Sequence, residues 1–208
     1  MLSEKDFQRI VKEMDRLKNV DIVKYIQETS PWFNVLESTI LRAVRILDEK
    51  GIFYVLYGLR PLPLYGVPYI SKEINFAIKV DGEEGFVEQL QRRGFRKIAK
   101  FKDELEFLDL QRNRRVVFTY SPKPLEWDDE LIKRAIKKMD VRILSVEDFA
   151  ASLLSKRESV MMAELAAKVI YANMDEIDLN YLKMRASRLK SEDKLEAILE
   201  GLRKASSR

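Results

Sequence analysis

The sequence predicts a mixed α/β fold: a sheet flanked by helices in the middle of the chain, with helical segments at both ends. Three observations predict it. Short β-type runs such as "IFYVLY" and "RRVVFTY" fall only between residues 52 and 144. Stripes of apolar residues at helical spacing fill the first 50 residues and everything after Ser145. The chain of 208 residues, 46% hydrophobic and 35% charged, is long enough to bury a full core and too apolar to stay disordered.

The elements follow in order. Phe7, Ile10, Val11, Met14 and Leu17 give a helix over 3–18 with Ser3 as N-cap, and a short helix covers 20–28. In "SPWFNVLESTILRAVRILDEKG", Ser30 reads as cap, Pro31 as first helical residue and Gly51 as the stop. Trp32 and Phe33 then form an apolar staple at the helix start or an anchor for a partner. "IFYVLY" (52–57) is a continuous run, as in a strand buried on both faces. "GLRPLPLYGVP" (58–68) is a Gly/Pro connection with room for a short helix, and "SKEINFAIKV" (71–80) is the next strand. A helix over 81–94 ends at Gly94. Strands follow at 95–101, 104–110 and 114–120, then a helix over 128–140 and a last strand, "VRIL", at 141–144. Ser145 and Asp148 make a capping box that opens a helix over 146–156, followed by helices over 158–173, 179–190 and 192–204. The switch from mixed to purely helical pattern places a boundary at Ser145.

Composition removes several chemistries. Without cysteine or histidine, disulfides, thiolate and imidazole metal sites and Ser–His triads are excluded. Any metal must be held by oxygen, which means Mg²⁺, Mn²⁺ or Ca²⁺. A net charge of +4 permits a polyanionic partner without requiring one. No apolar run spans a bilayer and the N-terminus is no signal peptide, so the expectation is a soluble cytoplasmic protein. Abundant Lys, Arg and Glu with no Cys suits a thermophile.

Chemistry concentrates around "SKEINFAIKV". Glu73 and Asn75 lie two apart and share a side of the strand. Before it come a strand ending at Gly58 and a turn with Arg60; after it, "LEFLDL" carries Glu106. With these features the chain resembles the nucleotidyltransferase superfamily, the polymerase-β-like fold, in its small prokaryotic stand-alone or toxin–antitoxin form. The frame "LYGVP" (64–68), "ILSVEDFAASLLSKR" (143–157) and "DEIDLNYLKMRA" carry the likeness, which spans about residues 36–186. It implies an N-terminal helical extension (1–35), a nucleotidyltransferase-like α/β domain (36–144) and a C-terminal helical subdomain (145–208).

In that family, carboxylates on two strands hold Mg²⁺ ions that clamp an NTP for transfer of a nucleotide. The resemblance carries the catalytic and metal positions onto Glu73, Asn75 and Glu106, and the nucleotide-binding positions onto Gly58, Arg60 and Lys72. Each catalytic position departs from the family pattern. Glu73 is a methylene too long for an ion that demands near-ideal geometry. Asn75 keeps an oxygen and loses the charge. Tyr57 replaces a glycine. Pro61 and Pro63 remove N–H donors from the first helical turn. Arg60 either obstructs the pocket or contacts phosphate itself. Met161 and Met162 stand where the family is polar, which suits packing against a helix or a partner. The resemblance therefore implies a degenerate site: a pseudoenzyme, inactive or weak, that binds nucleotide, RNA or a protein partner.

Two other readings stay open: an active Mg²⁺-dependent nucleotidyltransferase acting on RNA or protein, and a basic nucleic-acid-binding module. The latter rests on Arg92, Arg93, Arg96, Lys97, Lys100, Arg114 and Arg115. The segment 92–102 contains no acid, and Phe95 or Phe101 offers a stacking platform. The same cations also suit an edge strand protected from aggregation.

Overall fold

A computed structural model describes residues 2–80, 84–156 and 159–207. The expected mixed α/β architecture is present, with a seven-stranded mixed sheet and α-helices. The chain packs as two compact units, Met1–Thr29 with Leu62–Pro68 and Ser145–Arg208, and Ser30–Pro61 with Tyr69–Leu144.

The first unit is helical. It holds α1 (Glu4–Leu17), α2 (Ile22–Thr29), α6 (Val146–Leu154), α7 (Val160–Ala172), α8 (Leu179–Arg188) and α9 (Glu192–Ser206). Ser3 and Asp6 close a reciprocal capping box on α1. Ser145 caps α6 by accepting from the Asp148 N–H at 3.1 Å. The segment Leu62–Tyr65 is a single 3-10 turn, and Tyr65 stacks on Phe149 with ring centroids 4.3 Å apart. Asp148 is fully buried, bridged to the Arg185 guanidinium and within 3.2 Å of the Tyr181 hydroxyl. Burial pushes the Asp148 carboxyl up, while Arg185, Ser145 and Tyr181 pull it back. Met161 is exposed and Met162 half-buried on α7. Arg157 and the expected first residue of that helix lie outside the described residues.

The second unit holds the sheet, in the order β3-β4-β5-β2-β1-β7-β6. Its strands are β1 (Phe53–Tyr57), β2 (Asn75–Lys79), β3 (Phe95–Lys100), β4 (Glu104–Asp109), β5 (Arg114–Thr119), β6 (Ile136–Lys138) and β7 (Val141–Ile143). Helices α3 (Ser38–Glu49), α4 (Glu84–Arg92) and α5 (Asp129–Arg134) complete it. β1 runs antiparallel to β2 and parallel to β7, and β2 runs parallel to β5. One face carries the aromatic core. Phe76 stacks on Phe118 at 5.6 Å, and Phe86 of α4 meets Phe118 edge-on at 5.0 Å.

Three expectations are corrected here. The helix expected from Ser30 starts at Ser38. The carbonyls of Asn34 and Val35 are taken by the Arg60 guanidinium, and the Asn34 side chain accepts from Leu36 N–H at 3.0 Å. These bonds hold the segment in a non-helical path. Trp32 is consequently 67% exposed while Phe33 is buried, so the pair is only half a core staple. The helix expected over 128–140 stops at Arg134, and the chain turns into the β6–β7 hairpin. Met139 and Asp140 sit there at φ 47° and 66°, a two-residue turn of the kind that hairpin twist favours. Pairing of Ile143 with Leu56 on β1 supplies what the local helical pattern lacks. The strand expected over 71–80 begins only at Asn75, so Glu73 lies in the extended lead-in. The start of the helix expected over 81–94 falls outside the described residues.

Candidate functional site

The lead-in Ser71–Ile74 takes its shape from two arginines and one acid. Arg60 is fully buried. It donates from Nε to the Val35 carbonyl at 2.8 Å, from Nη1 to the Ser71 carbonyl at 2.8 Å, and from Nη2 to Glu37 at 2.9 Å. The guanidinium also lies over the Phe33 ring, 4.4 Å from its centroid. Arg114 reaches Glu37 from the other side at 2.7 and 3.2 Å, and donates to the Lys72 carbonyl at 2.9 Å. Glu37 thus anchors two guanidinium groups that together pin consecutive carbonyls ahead of β2. Burial lowers the pKa of Arg60 and Glu37 opposes that shift. The sequence offers Arg60 either as an obstruction or to phosphate, and Arg114 to nucleic acid; in the folded chain both are bonded to Glu37 and to backbone carbonyls. Glu37 gives no signal in the sequence, because a lone acid ahead of a helix carries no motif.

Next comes the face of the sheet opposite the aromatic core. Cross-strand partners share a face, and the registers Tyr57↔Asn75, Asn75↔Val117, Glu106↔Val117 and Ala99↔Glu106 make one row across five strands. Asn75 stands directly beside Tyr57 on β1. Gly58, at φ +79°, closes the end of β1 so tightly that a Cβ there would lie 3.0 Å from Asn75 Nδ2. Asn75 Nδ2 faces a Glu73 carboxylate oxygen at 3.5 Å, a weak contact. The Tyr57 hydroxyl lies 3.0 Å from Thr119 Oγ1. Burial raises its pKa, with Thr119 opposing.

The structure therefore brings Glu73, Asn75, Gly58 and Tyr57 together. Glu106 shares the row but stands two strands from Asn75, with Val117 between them, and its carboxylate bridges to Arg115. Lys72 is exposed and points its amine over Trp32, 5.7 Å from the ring centroid. Trp32 is thus exposed beside a cation, while its neighbour Phe33 takes the core place of a staple.

The basic residues do not form one patch. Arg92 pairs with Glu88 at 2.6 Å, Arg93 with Glu49 at 2.7 Å, Arg114 with Glu37 and Arg115 with Glu106. Arg96, Lys97 and Lys100 lie on β3, an edge strand bulged between Lys97 and Ala99. Through the bulge, Arg96 shares a face with Leu108, while Lys97 and Lys100 turn to the face of Phe107 and Leu105.

The resemblance implies Mg²⁺ in this site. Glu73 is the one carboxylate of the three positions without a cation bridged to it, and among the described residues no three acidic side chains converge as a metal-binding group. A carboxylate, a carboxamide and a distant, bridged carboxylate do not fit a two-metal clamp, which needs carboxylates shared between ions 3.5–4 Å apart, to order of magnitude about one side chain's reach.

The topology defines a class: this chain has the nucleotidyltransferase fold. The solution structure of the antibiotic-resistance factor ANT(2'')-Ia is similar to it with a TM-score of 0.51 and 12% identity, covering 77% of this chain and 92% of that one. An antigenic nucleotidyltransferase-like protein from Paracoccidioides brasiliensis gives a TM-score of 0.49 and 14% identity, covering 78% and 91%. No protein-family model and no curated protein sequence matches the chain. Among the described residues no helix is long and apolar enough to cross a membrane.

Proposed function

We propose that this nucleotidyltransferase-fold protein acts by binding, with metal-dependent nucleotide transfer absent or very weak. A nucleotide is the occupant favoured over RNA or a protein partner. The observation that carries the reading is the row Tyr57–Asn75–Val117–Glu106. An aromatic ring, an amide, a valine and an arginine-bridged acid stand on the sheet face where the family holds metal ions. Electrostatic stabilisation of a transferring phosphoryl group needs fixed cations at that place, and this set of donors gives little to hold them. Lys72 over exposed Trp32 favours the nucleotide: a base can stack on the indole while the ammonium meets phosphate.

The test is a pair of measurements on the full chain. NTP titration by calorimetry is expected to show binding that does not depend on Mg²⁺ and that Trp32→Ala and Lys72→Ala weaken. Incubation with labelled NTP and RNA or protein acceptors is expected to give no incorporation. Mg²⁺-dependent incorporation abolished by Glu73→Ala would establish an active enzyme and overturn the proposal.

A further inference from the structure

Away from the row just described, α3, the end of α4 and the β4–β5 turn enclose a cleft of about 420 Å³. Arg42, Arg45, Arg92 and Arg93 line it with Gly94 and Gln111, and no acid is among its lining residues. The helices belong to the aromatic side of the sheet, through Phe86 on Phe118. The Tyr57–Asn75–Glu106 row faces the other way.

The four guanidinium groups differ in how they are held. Arg42 is fixed from behind. It pairs with Asp109, which is fully buried and also accepts from Thr39 Oγ1 at 2.8 Å and from the Gln111 N–H at 3.0 Å. Arg42 further donates to the Arg93 carbonyl and lies over the Phe95 ring, 4.9 Å from its centroid. A guanidinium ordered in advance loses little freedom when it meets a ligand. Arg45 lies one turn along the same helix face, exposed, with no ion pair among the described residues. Arg92 and Arg93 pair with Glu88 and Glu49, but both partners in each bridge are at least 46% exposed. Bridges so wet are weak, so a doubly charged anion can draw the arginines away from them. One anchored cation, one unpaired cation and two loosely held ones around a concave space suit an oxyanion with several acceptor oxygens.

We propose that this cleft binds a phosphate group, borne by a small phosphate ester or by the backbone of single-stranded RNA. The two sources share the chemistry and differ in the charges they bring along. The site does not depend on the Glu73–Asn75 face.

The experiment titrates the full chain with inorganic phosphate, with AMP and with a single-stranded oligouridylate, by calorimetry at two salt concentrations. Arg45→Glu is the test variant, since Arg45 is exposed and its replacement leaves the Asp109 anchor intact. Lys12→Glu, the same charge change on the exposed side of α1, is the control. Arg45→Glu is expected to weaken the bound probe by about tenfold or more, and Lys12→Glu by less than about twofold. Binding of inorganic phosphate and AMP supports the small-ester source. Binding of the oligouridylate alone, with a steep salt dependence, supports the backbone source. The proposal is overturned if none of the three probes binds, if Arg45→Glu changes nothing, or if both variants weaken binding equally, which would mean diffuse attraction to a basic protein. AMP or oligouridylate binding that survives Arg45→Glu and is lost in Trp32→Ala belongs to the sheet-face site and counts against the cleft.

Discussion

Glu37 carries no motif in the sequence, yet two guanidinium groups depend on it. It holds one fully buried guanidinium, Arg60, and one half-buried one, Arg114. Its removal leaves the buried Arg60 without a counter-charge. Glu37→Ala is therefore expected to destabilise the chain by about 3 kcal/mol, the range for breaking a buried pair on one side, as read from chemical denaturation. Arg60→Lys is no rescue, since a single ammonium cannot serve the carbonyls of Asn34, Val35 and Ser71 together. The buried tyrosines make a second prediction. Burial pushes Tyr54 up to about 12 and raises Tyr65 well above the usual phenol value. A phenol whose folded pKa is raised contributes stability in full below its unfolded value near 10, and that contribution is lost as pH rises through the folded value. Absorbance at 295 nm should then show tyrosine ionisation coinciding with unfolding on the alkaline side. Tyr54→Phe should move that alkaline midpoint upward, because the variant has no such proton to lose.

At the scale of elements, the sheet and most helices follow from local pattern, and the exceptions have tertiary causes. Strand β6 and the turn after it, residues 136–140, are read from the sequence as the tail of a helix, while β7 is read as a strand. The turn residues, Met139 and Asp140, lack the Gly or Asn that marks such turns, while the acid-to-base gradient from Asp128 to Lys138 fits a helix dipole. Helix α9 is the reverse case, plain in the sequence but with one residue explained only by packing. Gly201 lies under the Phe7 ring of α1, and a Cβ there would come within 2.3–2.5 Å of three ring carbons. A glycine inside a helix ordinarily gains from replacement by alanine. Here the collision outweighs that gain, and Gly201→Ala is expected to lower stability by about 1–3 kcal/mol. A thermal melt in which Gly201→Ala is more stable than the parent would show that α1 and α9 yield easily.

For the whole molecule, the fold is that of nucleotidyltransferases, and the proposed reading is binding without a metal clamp. Any ligand that binds the folded state raises its melting temperature in proportion to ln(1 + [L]/Kd). Millimolar Mg²⁺ is accordingly expected to leave the melting temperature unchanged within about a degree, while NTP raises it with or without the metal. A rise with Mg²⁺ alone that Glu73→Gln abolishes would mean that Glu73 and Asn75 do hold a cation.

By itself the sequence determined the succession of elements apart from β6, the absence of thiolate and imidazole chemistry, and the closeness of Glu73, Asn75 and Gly58. These follow from spacing and residue type, which act over a few neighbours. Register and burial, which join residues far apart in the chain, were decided by the tertiary structure. Only the strand order reveals that Val117 stands between Asn75 and Glu106. Only packing turns Arg60 and Arg114 into pins for the Ser71 and Lys72 carbonyls. The arginine cleft is equally hidden in the sequence, because Arg42 and Arg45 lie some fifty residues before Arg92 and Arg93. An arginine reads the same in a sequence whether it meets a phosphate or a buried carbonyl, and its surroundings in the fold decide which.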